Sequence, residues 1–327
     1  MSSQTPAAAG YDELASAIDP QVVHRLPDIG KLVSLPHTTY ALLTLLMKED
    51  TQAKDLERVL SQDPALTAKV ISLSNSAFYA LEQPVSSLER AILVIGFKEL
   101  EFMAMGLGLS ETFDLSSVPA NFDGEGLWLH SLSVSFIARE IAVVSKAVEP
   151  SEAMITGLLH ELGLIILVSK FPSQFQQLME LVNAGMSLFD AESALGLRHD
   201  VIGYMLAFNW NLPRVFQEGI LYHHRPKEAP EFKKMTAAAA LADILAHKIG
   251  YPVPMEALEV DLDYSLKTLN ISVPTLQNLI KDLMEKIPRA HPLWLEMMRS
   301  GQAKNRGLRS KAASFLEPDE KVRPGRS

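Results

Sequence analysis

Seven side chains of metal-ligand type stand in one stretch of this sequence: His130, His160, Glu161, His199, His223, His224 and Asp243. Neutral imidazole nitrogens and carboxylate oxygens suit iron, manganese, zinc or nickel. Brought together, these residues could hold one or two divalent transition-metal ions. Two ions about 3.5–4 Å apart activate water and polarise a phosphoryl oxygen. Spacing alone does not demand this, since the chain has no HExxH and no CxxC. His130 on an apolar helix also reads as a hydrogen-bonded core histidine. His160-Glu161 reads as a helix end interacting with the dipole, and His199-Asp200 as a plain helix start. His223-His224 before Arg225-Pro226 reads as an ordinary helix C-terminus. Asp243 lies in the apolar run AAAALADILAHKIG, which it shares with His247, and a buried carboxylate there needs a partner.

The elements that must position these residues read as helices throughout. Tyr40 to Lys48, Asp55 to Leu60, Leu88 to Ile95 and Lys98 to Leu109 carry helical apolar spacing in the first part of the chain. Asp63-Pro64 is a helix start, with Asp as N-cap and Pro at the first helical position. The loop PANFDGEG, Pro119 to Gly126, marks a boundary. A second helical set follows: Leu127 to Val144, Pro150 through His160, Ser173 to Asn183, Asp190 to Leu195, Asp200 to Asn209, Pro213 to Tyr222, Met235 to Ile249 and Pro274 to Lys286. No alternating strand pattern is present, so the expected fold is all-α in two helical lobes. The expected divisions are a disordered N-terminus at 1–17, a first lobe at 18–118 and a second at 119–250. A helical extension at 251–300 and a basic, disordered tail at 301–327 complete the chain.

Composition narrows the functional classes. The 327 residues include no cysteine, which excludes disulfides, thiolate-bound metals and a thiol nucleophile. Any metal must therefore be held by histidine and carboxylate. The net charge is −9, from 30 basic and 39 acidic residues. The tail from Gly301 carries seven Lys/Arg and three Asp/Glu, leaving a body with 23 basic and 36 acidic residues. A body this acidic is a poor partner for DNA. Asp55 to Ser76 has the outline of a helix-turn-helix, but Lys69 is the only cation on its second helix, and no DNA binding is expected. No uninterrupted apolar run reaches the roughly 18 residues of a membrane span. One of the best, Leu162 to Val168, is bounded by His160-Glu161 and Ser169-Lys170. The N-terminus lacks the basic start and apolar core of a secretory signal. A cytoplasmic protein with no membrane contact is expected.

The order His130, His160-Glu161, Asp243 resembles the His…His-Asp…Asp series of HD-domain phosphohydrolases. His199 and His223-His224 resemble the extra histidines of HD-GYP cyclic-dinucleotide phosphodiesterases. The segment LSQDPALTAKVISLSNSAFYALEQPVSSLERAILVIGFKELEFMAMG, from Leu60, resembles the core of the HDOD family (HD-related output domain). GLLHELG at Gly157 and FNWNLPRVFQEGILYHHRP at Phe208 resemble that family's later motifs. The resemblance runs from about Ile18 to Pro226, and more loosely to Gly250.

The resemblance implies a bacterial signal-transduction regulator acting through a protein partner, without catalysis. Two alternatives stay open: a metal-dependent phosphohydrolase acting on a nucleotide or cyclic dinucleotide, and a domain that senses a metal or nucleotide ligand without turnover. Under the hydrolase reading, His130, His160, Glu161 and Asp243 would hold one ion, and His199, His223 and His224 a second. The chain departs from the HD-GYP pattern at three points. Glu161 replaces the Asp of the HD pair, Leu164 replaces the lysine of HDxGK, and no GYP triplet follows His224.

Overall fold

A computed structural model describes residues 13–24, 50–75, 83–112, 122–253 and 261–288, with a few single positions between them. Most of the segment Tyr40 to Lys48 and all of the basic tail lie outside the described residues. Among the described residues the chain is helical and contains no strand. The long helices are α1 (Ala53–Leu60), α2 (Pro64–Ser74), α3 (Leu88–Ile95), α4 (Phe97–Thr112), α5 (Gly124–Ser145), α6 (Pro150–Leu159) and α7 (Leu162–Lys170). They continue as α8 (Pro172–Asn183), α9 (Leu188–Leu195), α10 (His199–Asn209), α11 (Arg214–Tyr222), α12 (Lys233–Lys248), α13 (Leu262–Leu269) and α14 (273–288). A 3-10 turn at Pro226–Glu228 joins α11 to α12.

Local chemistry explains many of the boundaries. Asp63 Oδ1 accepts from Leu66 N–H at 3.1 Å, capping α2. Ser87 caps α3, and Gly96 at φ 89° ends it. Asp123 caps α5 by accepting from Gly126 N–H at 2.8 Å, so the expected loop gives way to helix at Gly124. Pro150 and Pro172 stand at first helical positions. Two helices were not legible as such. α7 is fully apolar from Leu162 to Val168 and has no polar face to show a period. α13 is a short helix capped by Asp261.

α5 and α6 form an antiparallel pair, and α12 packs across both. α7 lies on α10, α10 on α11, and α11 closes back onto α6 and α12. The first helices join this bundle where α4 meets α6. Residues 13–24 also reach it, since Asp19 N–H donates to Gly196 O at 2.8 Å. Among the described glycines the closest backbone approach is at Gly163. A Cβ there would sit 1.8 Å from His199 O and 2.7 Å from Gly203 N. Glycine at 163 is what lets α7 touch the first turn of α10.

Two stretches are long and apolar enough to cross a membrane by length and composition, contrary to the reading of uninterrupted apolar runs: Gly124–Ser145 and Pro150–Lys170. Serine, threonine and a few charged residues, among them Arg139, Glu140 and Glu161, break the apolar runs within each stretch. Their most apolar windows are 67% and 89% buried inside the protein, which marks them as the core helices of the bundle.

Candidate metal centre

His130 and Asp243 project from the middles of α5 and α12. The other five ligand-type residues stand at helix ends. α6 stops at Leu159 and α7 starts at Leu162, so His160 and Glu161 fill the break. His199 opens α10, and His223 and His224 follow α11. A helix end leaves carbonyls without intrahelical partners, and two histidines use them. His160 Nδ1 donates to Gly157 O at 2.7 Å, and His223 Nδ1 to Ile220 O at 2.6 Å. His130 Nδ1 donates to Tyr251 O at 2.8 Å, and His199 Nδ1 to Glu192 Oε1 at 2.6 Å.

These partners assign the tautomers. A neutral imidazole with its proton on Nδ1 presents a lone pair at Nε2. The Nε2 atoms then face one another. His130 and His160 approach to 3.0 Å, His199 and His224 to 3.0 Å, and His199 and His223 to 3.3 Å. Two lone pairs cannot hydrogen-bond, so the His130–His160 and His199–His223 contacts, whose Nδ1 atoms are all anchored, each call for a proton or a metal cation between them. Fixing Nδ1 on a carbonyl aims Nε2 inward, as the outer hydrogen-bond partners of metal-binding histidines do.

The carboxylates point the same way. Both oxygens of Glu161 and both of Asp243 are buried with no hydrogen bond, although Asp243 Oδ1 stands 3.3 Å from His130 Nε2. Buried polar groups are normally paired, and buried charge without a partner is strongly unfavourable. These orphaned oxygens beside convergent imidazoles fit a divalent cation with nitrogen and oxygen ligands.

The ligand atoms fall into two sets, each within 4.8 Å: His130, His160 and Asp243; and Glu161, His199, His223 and His224. The sequence partition put Glu161 with the first set. The structure turns one of its oxygens to each: Oε1 is 3.9 Å from His160 Nε2, and Oε2 is 3.7 Å from His199 Nε2. The longer reach of Glu over Asp gives that span.

The charges respond to burial and to one another. Burial lowers His130, but the Asp243 carboxylate 3.3 Å away outweighs it and leaves its pKa raised. Burial likewise opposes His199, yet Glu192 and Glu161 hold it well above its ordinary value. Burial pushes His160 down to about 3 and keeps His223 and His224 well below the usual imidazole range. Burial raises Glu161 and Glu192. For Asp243 burial works upward, and its contact with His130 overrides it and leaves the pKa lowered.

The family model of the HDOD domain matches residues 32–226. The chain belongs to the HDOD family. Solved structures agree with it in fold. An HDOD domain protein of unknown function from Geobacter sulfurreducens aligns at TM-score 0.65 and 22% identity, covering 85% of this chain and 98% of that one. A candidate signal transduction protein from Marinobacter aquaeolei aligns at TM-score 0.65 and 22% identity, covering 82% of this chain and 59% of that one. A candidate phosphohydrolase from Shewanella amazonensis aligns at 0.64 and 23% identity, covering 88% and 99%. An uncharacterized Treponema pallidum protein is 24% identical over 242 residues, 72% of this chain. The chain spans 46% of that relative's length.

Asp243 lies beyond the residues matched to the HDOD model, as do two supports that the sequence did not reveal. Tyr251 O holds His130. His247 Nε2 stands 3.4 Å from Asp243 Oδ1, one helical turn along α12; the spacing from Asp243 was its only available signal. Glu192, the carboxylate behind His199, had none: it lies seven residues upstream in the short helix α9. Glu192→Gln is expected to weaken metal binding about 10- to 100-fold by freeing the His199 ring, with the fold retained. Manganese titration by calorimetry, beside a thermal melt, checks both parts.

Proposed function

We propose that this HDOD protein is a regulatory module that holds divalent transition-metal ions in its helical bundle and signals through a protein partner, without turnover. The observation that carries the reading is the pairs His130–His160 and His199–His223, whose Nε2 atoms face one another with every Nδ1 anchored, beside the buried Glu161 and Asp243 carboxylates. Metal at this position would tie α5, α6, α10 and α12 to the turn after α11, so occupancy bears on how the bundle packs. A signalling role agrees with the description of the Marinobacter neighbour. The absence of turnover is supported by Leu164, fully buried where HD phosphohydrolases carry lysine.

The placement of Glu161 between the two sets favours one second reading, a phosphohydrolase. Metal ions held there would supply Lewis acidity toward a phosphoryl oxygen. A single experiment separates the two. The full chain is loaded with manganese, then assayed with p-nitrophenyl phosphate and a cyclic dinucleotide while its thermal melt is followed. The regulatory reading predicts a raised melting temperature and no hydrolysis. Hydrolysis that disappears in His160→Ala replaces it with the enzyme.

A further inference from the structure

Of the seven ligand-type residues, His224 alone keeps partial exposure; the other six are buried. The open side of the centre is therefore the side of His224, and the next residue there is Arg225. A second guanidinium, Arg198, immediately precedes His199. The two arginines meet on one buried carboxylate. Asp200 Oδ1 accepts from Arg198 Nε at 2.9 Å, Asp200 Oδ2 also accepts from Arg198 Nη2, and Arg225 Nη2 donates to the same Oδ2 at 3.0 Å. Asp200 is 3% exposed, while Arg198 and Arg225 are 19% and 30% exposed. Each guanidinium also lies over an aromatic ring: Arg198 is 5.1 Å from the Phe189 centroid, and Arg225 is 6.0 Å from that of Tyr222.

The donors are not used up. Arg225 Nε is buried and has no hydrogen-bond partner. Arg225 Nη1 donates at 2.8 Å to Glu228, whose side chain is 55% exposed. Asp200 offsets one positive charge of the pair and Glu228 the other, so an incoming anion would take the place of Glu228 on Arg225 Nη1.

We propose that Arg198 and Arg225, held together by Asp200, form an anion-recognition fork at the mouth of the metal centre, and that it takes a phosphate group. Planar guanidinium forks match the oxygens of phosphate in pairs. Ring contacts and a shared carboxylate fix the forks before the ligand arrives, which limits the entropy lost on binding. Leu164, buried where the HDxGK pattern has lysine, offers no cationic donor; the arginines supply cationic donors beside His199 and His224. The inference rests on the reading that this centre receives a ligand, but the fork itself contains no metal ligand.

The test is calorimetric titration of the full chain, metal-free and manganese-loaded, with inorganic phosphate and with adenosine monophosphate. Wild type is expected to bind at least one of the two; the tighter one tells free phosphate from phosphate ester. Arg225→Ala should weaken that binding at least tenfold while leaving manganese stoichiometry unchanged. Arg198→Ala should do likewise. Arg225→Lys keeps the charge without the fork and should fall between, and it decides the matter if the alanine variant melts early. Equal phosphate affinity in wild type and both alanine variants overturns the fork, as does no binding of either probe. Failure of manganese to bind, with arginine-dependent phosphate binding intact, overturns the metal reading and leaves the fork standing.

Discussion

Replacing Glu161 with glutamine is expected to weaken metal binding at both ligand sets at once, by at least about 100-fold each, or about 2.8 kcal/mol at 1.4 kcal/mol per tenfold. Its two oxygens face different histidines, His160 and His199, at 3.9 and 3.7 Å. One residue therefore serves both sets, and an amide supplies only one acceptor oxygen. Asp243→Asn is the contrast. Its carboxylate groups with His130 and His160, so it should weaken one ion and leave the other. Manganese titration of both variants reads the difference. One ion bound with unchanged affinity in Glu161→Gln would return Glu161 to a single set.

Substituting Gly163 by alanine is the second large effect. The added methyl would overlap the backbone carbonyl of His199 at 1.8 Å and press on Gly203 N at 2.7 Å. Neither is a flexible side-chain end, so α7 and α10 must separate. Overpacking of a tight core typically costs about 1–3 kcal/mol, and a backbone clash this close belongs at or above the upper limit. Chemical denaturation should show a loss of about 3 kcal/mol or more. The same shift moves His199 away from His223 and His224, so metal affinity at that set should fall as well. A stable Gly163→Ala protein with normal metal affinity would show that the helix contact is softer than drawn.

Much of this was legible in the sequence because helix signals are local. Pro150, Pro172 and the cap Ser87 set boundaries through chemistry within four residues, and the helices they open follow. The ligand-type residues were legible as types in an order. Their convergence is non-local: His130 and Asp243 meet across 113 positions because α5 packs on α12. The partition of the sets was not legible: the sequence reads His160-Glu161 as a helix end, but which oxygen of Glu161 faces which histidine depends on how distant helices pack around that break. The supports at Glu192 and Tyr251 were hidden for the same reason. A glutamate in a short amphipathic helix looks solvated, and a backbone carbonyl has no sequence signature.

The central claim is that the buried imidazoles and carboxylates hold metal. Elemental analysis of the purified full chain tests it most directly, after incubation with manganese, iron or zinc and removal of free ions by gel filtration. The structure provides two ligand sets, and the account predicts close to two equivalents of transition metal per chain, falling to about none in His160→Ala, His199→Ala double-substituted protein. Less than a tenth of an equivalent in wild type after reconstitution with all three metals would contradict it.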